Sequence, residues 1–394
     1  QEISLTAHLN RRLFSNKLPF TGGGTVEFER LAPGLGARTV INSRLWNKPI
    51  RWIAGADLSH QRDDRKRFDN NNGIKGSQTL DRFETVTSIG PYLRAEWQES
   101  PRIELVAGIR YDHVEFDLKD NFLSDGDQSG SRTLSDWSGT LGAVYHFHKS
   151  RHGYVNIATA FETPTTTELA NDPSGGSGFN QNLDSQQSMS YEVGLKEKIG
   201  NRMDYDLAVF LIQSWNELIP FESITSPGRT FFKNAGQSRR VGIEAAMSFR
   251  PVEQIETGLS YAFSDFRFTR FDDNGSNHSG NFIPGMPEHR IVANLRADSS
   301  SGWFAKGEIQ YVSSFFVNDE NTVDNPSYIT NRFSFGRKKA MGKSQWSVFL
   351  GVENIFDQSY NANTRLNAKG GRYFEPGQPF TLFGGVSWVL AAEK

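Results

Sequence analysis

Ser344-Gln345-Trp346-Ser347-Val348-Phe349-Leu350-Gly351-Val352-Glu353 and Phe380-Thr381-Leu382-Phe383-Gly384-Gly385-Val386-Ser387-Trp388-Val389-Leu390 are two alternating runs separated by a long polar loop. In the first, Trp346, Val348, Leu350 and Val352 fall on one face. Ser347, Gly351 and Glu353 fall on the other, with Phe349 among them. In the second, Phe380, Leu382, Val386, Trp388 and Leu390 share a face. A period of two is the period of a strand. Each run is about the ten residues that a tilted strand needs to cross a bilayer. Each carries an aromatic near one end of its apolar face, where membrane strands place interfacial girdles.

The pattern recurs along the chain. Ile89, Leu93, Ala95 and Trp97 lie opposite Arg94 and Glu96. Leu105, Ala107, Ile109 and Tyr111 alternate with Glu104, Gly108, Arg110 and Asp112, and Tyr191, Val193 and Leu195 with Glu192, Gly194 and Lys196. Turn residues predict short connections near 47–49, 99–101, 149–151, 200–201, 250–251, 298–301 and 338–343. Polar, Gly-rich stretches predict long ones near 61–80, 119–132, 163–185, 223–229, 272–285, 318–325 and 357–377. Roughly sixteen or seventeen strands with short turns at one end and long loops at the other predict an all-β fold, an antiparallel transmembrane β-barrel. The short turns would face the periplasm. No blade-length repeat of the propeller kind is visible.

Composition agrees. Hydrophobic residues make up 37% and mean hydropathy is −0.54. No run of about eighteen apolar residues exists, which excludes a membrane-spanning helix. A barrel remains open, because half of each strand faces a polar lumen. Phe reaches 30 and Gly 37. A net charge of −2 gives no drive toward nucleic acid. Without cysteine there is no disulfide, thiolate metal site or Cys nucleophile. The chain starts at Gln1 with no apolar signal segment. The strand-like start, Gln1-Glu2-Ile3-Ser4-Leu5-Thr6, favours a piece of something longer.

Arg62, Arg65 and Arg67, in the polar stretch from Gln61, could draw an anionic chelate by charge and bidentate contact, or be a solvated loop or one bound to lipid phosphates. Arg110 is one of the charges opposite an apolar face. Phe179 and Tyr360, with Asn180, Phe315 and Phe316, are loop residues that either touch a ligand or cover the barrel mouth. Asp125-Gly126-Asp127-Gln128-Ser129-Gly130 mimics a calcium loop but lacks flanking helices, and Asp-Gly is ordinary turn composition. His146, His148 and His152 have spacing open to a metal and equally to interfacial aromatics. No metal site or cofactor is assigned. No G-x-S-x-G, H-E-x-x-H or phosphate loop appears, so no enzyme is expected.

Phe161-Glu162-Thr163-Pro164-Thr165-Thr166-Thr167-Glu168-Leu169 resembles the F-x-x-P-x-x-x-E-L segment of the TonB-dependent outer-membrane receptors. Asn234-Ala235-Gly236 with Gly242-Ile243-Glu244, Pro284 to His289, Gly351 to Asp357 and Gly371 to Gly377 resemble further segments of that family in the same order. Together they span roughly residues 80 to 390. The resemblance implies a barrel of about twenty-two strands with a plugged lumen, of which about sixteen are present. Residues 1–394 would be the carboxy-terminal part of the barrel domain, without the plug and without the segment that contacts TonB. Missing strands leave two open edges, whose unpaired backbone is costly in lipid. The chain would then show free edges or close as a narrower barrel. It ends on Ala391-Ala392-Glu393-Lys394, where such barrels usually end on an aromatic.

The function implied is energy-dependent uptake of a ferric siderophore-like complex across the bacterial outer membrane. Its partners would be the ferric chelate, outer-membrane lipid and, only through the plug, the TonB complex. The alternatives are uptake of cobalamin, haem or sugar, and a passive porin. The absence of His between Phe161 and Leu169 disfavours haem.

Overall fold

The computed structural model describes residues 1–17, 24–170, 178–222, 230–273, 275–342 and 344–390. The loop expected at 223–229 and the end at 391–394 lie outside the described residues, as does part of the loop expected at 163–185.

Sixteen strands form one sheet. The first eight are β1 (Glu2–Lys17), β2 (Thr25–Leu45), β3 (Lys48–Asn71), β4 (Ile74–Ser100), β5 (Ile103–Asp120), β6 (Gly130–His148), β7 (Arg151–Glu162) and β8 (Gln186–Ile199). The second eight are β9 (Met203–Glu222), β10 (Thr230–Val252), β11 (Ile255–Arg270), β12 (His289–Asp298), β13 (Trp303–Val312), β14 (Tyr328–Met341), β15 (Ser344–Glu353) and β16 (Thr381–Leu390). Order in the sheet equals order in the sequence, an antiparallel meander with β1 and β16 at its ends. Contacts divide the chain into two units. Unit 1 comprises 1–143, 156–190 and 214–237; unit 2 comprises 144–155, 191–213 and 238–394.

In unit 1 the stretch from Gln61 to Leu80 corrects an expectation. It is not a loop. It is the far end of the β3–β4 hairpin, whose strands reach 24 and 27 residues rather than about ten. The polarity of this stretch hid its period. Charges pair from strand to strand: Arg30 with Asp63 at 2.6 Å and Arg65 with Glu84 at 3.2 Å on neighbouring strands, and Lys75 of β4 with Glu27 of β2 at 2.8 Å across the width of β3. The turn is Asn72-Gly73, with φ of 54° and 89°, between paired Asn71 and Ile74. Asn-Gly is the strongest two-residue hairpin signal, because both positions tolerate positive φ. The opposite turn is Trp46-Asn47, with φ of 50° and 64°. Lys48 and Pro49 already pair with Leu45 and Arg44, so the turn comes one residue earlier than expected.

The apolar face of unit 1 carries rows such as Leu35, Leu58 and Ile89, all exposed, and continues onto Leu5, which is 79% exposed. Its polar face carries Arg51, Arg94 and Glu96 as an ion-pair set.

In unit 2 the turn expected at Arg250-Pro251 lies at Glu253-Gln254, while Arg250 and Pro251 themselves belong to β10. The apolar face of β13–β16 has Trp303, Phe335, Leu350, Leu382, Val386 and Trp388, with Leu350 75% exposed. The polar face has Arg332 on Glu353 at 3.0 Å. Burying such a side chain is worth about 1.5–3 kcal/mol. A sheet with whole rows left bare needs an apolar surrounding.

Phe349 and Phe383 stand on the polar face for a local reason. Each ring covers its cross-strand glycine, Phe383 over Gly351 and Phe349 over Gly385. Such rings shield backbone that glycine leaves open. A Cβ on Gly351 would stand 2.3 Å from the Phe383 ring. Gly351→Val should therefore cost about 1–3 kcal/mol. Circular dichroism melts in detergent should show this as earlier loss of strand signal, with Leu350→Val on the opposite face melting like the parent.

Candidate functional site

On the polar face of unit 1 a charged shelf adjoins an apolar pad. Register sets Arg30, Asp63, Glu84 and Leu118 in one row. Arg30 grips Asp63 with two nitrogens, at 2.8 and 2.6 Å. Glu84, 1% exposed, accepts from Arg82 at 2.7 Å, Arg65 at 3.2 Å and the Thr166 hydroxyl at 3.1 Å. Beside it lies a core of Phe116, Leu118, Leu134, Leu169, Phe179 and Leu183.

The loop after β7 is seated on this shelf by a single helical turn, α1 (Thr166–Leu169). Thr165 accepts from the Glu168 amide and Glu168 accepts from the Thr165 amide, a reciprocal cap. Leu169 is fully buried in the core. Further along, Arg132 holds Gln181, the Leu183 carbonyl and Asp184.

The six residues singled out from sequence have separate placements. Arg65 and Arg67 stand two apart on β3, a spacing that gives one face, and Arg65 is engaged by Glu84 and by Thr167 at 3.1 Å. Arg62 stands on the opposite face, its guanidinium 4.3 Å from the Phe83 ring. None of the three is on a loop. Arg110 lies between Asp57 and Asp112, each at 2.8 Å. Phe179 is 2% exposed, its ring 6.4 Å from Phe116. Tyr360, in unit 2, stacks on Tyr328 at 5.2 Å and borders a recess of about 210 Å³ with Glu308, Arg332 and Glu353.

In and beside the calcium-like loop, Asp127 and Asp120 are taken up by local amides. Asp127 accepts from the Ser129 amide, and Asp120 from those of Phe122 and Gln128. Among the described residues no group of three His, Asp or Glu is placed to hold a metal. His146 and His152 stand 5.8 Å apart, while His148 turns to Glu197 at 3.5 Å.

Unit 2 also holds a recess of about 490 Å³ on its polar face, lined among others by Tyr154, Glu192, Lys196, Asp206, Glu244 and Arg290. Tyr154 donates to Glu192 at 2.6 Å and Lys196 pairs with Asp206 at 2.6 Å. Its long loops are joined by asparagines. Asn321 donates to the Phe282 carbonyl and accepts from the Phe282 amide. Asn367 accepts from the Asp319 amide and donates to its carboxylate. Asn361 donates to Asn325 at 2.7 Å, and Asn281 to the Asp319 carbonyl at 2.8 Å.

The family model "TonB dependent receptor-like, beta-barrel" matches residues 6–355. The chain belongs to that family. Among solved structures it is similar to the unliganded ferric citrate transporter FecA, with 16% identity and a TM-score of 0.82, covering 98% of this chain and 59% of that one. The siderophore receptor PiuA from Acinetobacter baumannii aligns at 15% identity and a TM-score of 0.76, covering 98% and 62%. The copper transporter OprC aligns at 14% identity and a TM-score of 0.73, covering 98% and 61%. The chain thus spans about three fifths of the length of these proteins.

The family-like motifs are structural in this receptor-type barrel chain. Asn354, at φ 49°, donates to the Gln358 and Gln378 carbonyls and accepts from the Gln358 amide. Asp357 accepts from the Phe380 amide. Asn234 bridges Asp184 and Asn216, and His289 meets the Tyr261 hydroxyl at 3.0 Å. Sequence reasoning missed Glu84, whose signal was an acid two residues from Arg82 on the same strand face, and missed the Thr165–Glu168 cap, a plain T-x-x-E pattern.

Two outcomes follow for the loops. Glu84→Gln leaves Arg82 and Arg65 without their carboxylate and should cost about 3–5 kcal/mol; limited proteolysis should then cut near 163–185 in the variant before the parent. Asp319 lies in a loop, and burial, with Glu320 and Asp273 adding, holds its carboxyl above the usual range against the Asn367 bond and His278. A raised acid binds its proton better when folded, so this stabilisation is present at low pH and lost as pH rises through the raised pKa. Hydrogen exchange at 357–377 should speed up across that window, and Asp319→Asn should abolish the dependence.

Proposed function

We propose that the chain is the wall of an outer-membrane receptor that imports a ferric siderophore-like complex. Energy would reach it from TonB through a plug domain that is not part of these 394 residues. What carries the reading is the two-faced sheet in a chain matched by the receptor-barrel family over residues 6–355. One face is bare and apolar over several strands, as a bilayer requires. The other is charged and internally paired, as suits a wet or plugged lumen. Solved neighbours described as a ferric citrate transporter and as siderophore receptors support an iron chelate as cargo.

A second reading, uptake of another scarce metal complex, is favoured by the copper transporter among the neighbours. In either reading loops supply specificity and strands supply the wall. Arg65, Arg67 and Arg110 on the shelf side and Tyr360 in the loops are the proposed ligand contacts. Arg62 and Phe179 are withdrawn from that set, since one lies on the other face and the other is covered by the core.

Deletion of the full-length gene should abolish growth on one ferric chelate as sole iron source, and the intact gene should restore it. Unchanged use of every iron complex, with altered copper uptake, would move the cargo to the second reading. Steady conductance in planar bilayers with no ligand dependence would replace import with a passive pore.

A further inference from the structure

The apolar face of β13–β16 is not uniform. Inside a terminal pair at the short-turn end, Ser344 and Leu390, its first row is Lys339, Trp346 and Trp388. The second row is Trp303, Arg337, Val348 and Val386. The third is Ala305, Phe335, Leu350 and Gly384, and the fourth Gly307, Phe333, Val352 and Leu382. The first two rows thus combine three tryptophans with two cations. The next two hold no polar side chain.

The cations differ in setting from their neighbours. On the polar face Lys338 reaches Asp298 at 3.7 Å and Arg296 pairs with the same carboxylate at 2.5 Å. Arg337 instead lies over the Trp303 ring at 5.1 Å. Among the described residues neither Arg337 nor Lys339 has a carboxylate at ion-pair distance, and both are exposed. Trp303 stacks on Phe335 at 5.0 Å and Trp346 on Trp388 at 5.4 Å, so the aromatic floor around them is fixed.

We propose that this patch binds the phosphate of an anionic glycerophospholipid. The proposal rests on the membrane-wall reading above, which sets the short turns at the periplasmic leaflet. An unpaired cation facing lipid is costly unless an anion meets it. The planar guanidinium of Arg337 takes two phosphate oxygens at once. Lys339, two residues along the strand and roughly 7 Å away, extends toward the same headgroup layer. Indole rings suit the boundary between headgroup and acyl chain. Leu350, Phe335 and Leu382 then lie along the acyl chains. From the Lys339 row inward, charge and grease are graded in the order of a phospholipid, which is why the occupant is lipid phosphate and not free phosphate.

The test uses the full chain in phosphatidylcholine vesicles, supplied with phosphatidylglycerol, and counts retained lipids by native mass spectrometry. Phosphatidylglycerol should be retained over phosphatidylcholine. Arg337→Gln with Lys339→Gln should reduce that preference by roughly fivefold per cation, while Arg337→Lys with Lys339→Arg should keep most of it. Lys306→Gln, on the polar face, should change nothing, and millimolar inorganic phosphate should not displace the lipid. Equal retention of the two lipids, an undiminished preference in the double Gln variant, or displacement by inorganic phosphate would each overturn the proposal. Flotation with phosphatidylcholine vesicles alone reads the membrane assignment separately. Failure to float overturns that assignment and this one with it, whereas flotation without a lipid preference overturns only this one.

Discussion

A strand can present each side chain to only one of two surroundings, and here the two surroundings are opposite in kind. That constraint decides the rest. A charge on the polar face finds its partner within the same face, because the pleat of the strand holds the two faces apart. Arg110 between Asp57 and Asp112, Lys196 with Asp206 and Arg332 with Glu353 all satisfy it locally. The pairing is what lets so charged a face coexist with rows such as Leu35, Leu58 and Ile89 on its back. The individual exposed pairs add little stability in water. Their role is to keep register, since a one-residue slip would send every charge to the apolar side.

The loop ends are organised on a different principle. They carry their own cores and their own hydrogen-bond closures. In unit 1 the segment around α1 covers Phe116 and Leu118 and returns its polar atoms to Glu84. In unit 2 amide side chains bind one loop to the next through backbone groups. Asn354 and Asp357 fasten the exit of β15, so the motifs that suggest the family secure chain reversals.

Where the period of two was carried by hydrophobic contrast, as from Trp346 to Val352, the strands could be read directly. Where both faces were polar, as from Gln61 to Leu80, the same period was present but silent, and a long hairpin looked like a loop. Asn72-Gly73 marked its tip. Phe349 broke the pattern because its partner is a glycine on another strand, a fact of register that lies outside any single segment. The candidate arginines were recognisable as cations, but their faces were not. Assigning Arg62 to one side and Arg65 to the other needs the strand that the polar composition concealed.

The two kinds of loop fastening differ in how they answer to ionic strength. The β3–β4 extension is held by charge between strands, at Lys75 with Glu27 of β2 and at Arg65 with Glu84. Dissolved salt weakens such attractions in their exposed parts, over a Debye length of about 10 Å at 0.1 M. The amide-joined loops of unit 2 are mostly neutral dipoles and are indifferent to counterions. In brine the charged hairpin would loosen first, while the asparagine mesh kept its shape.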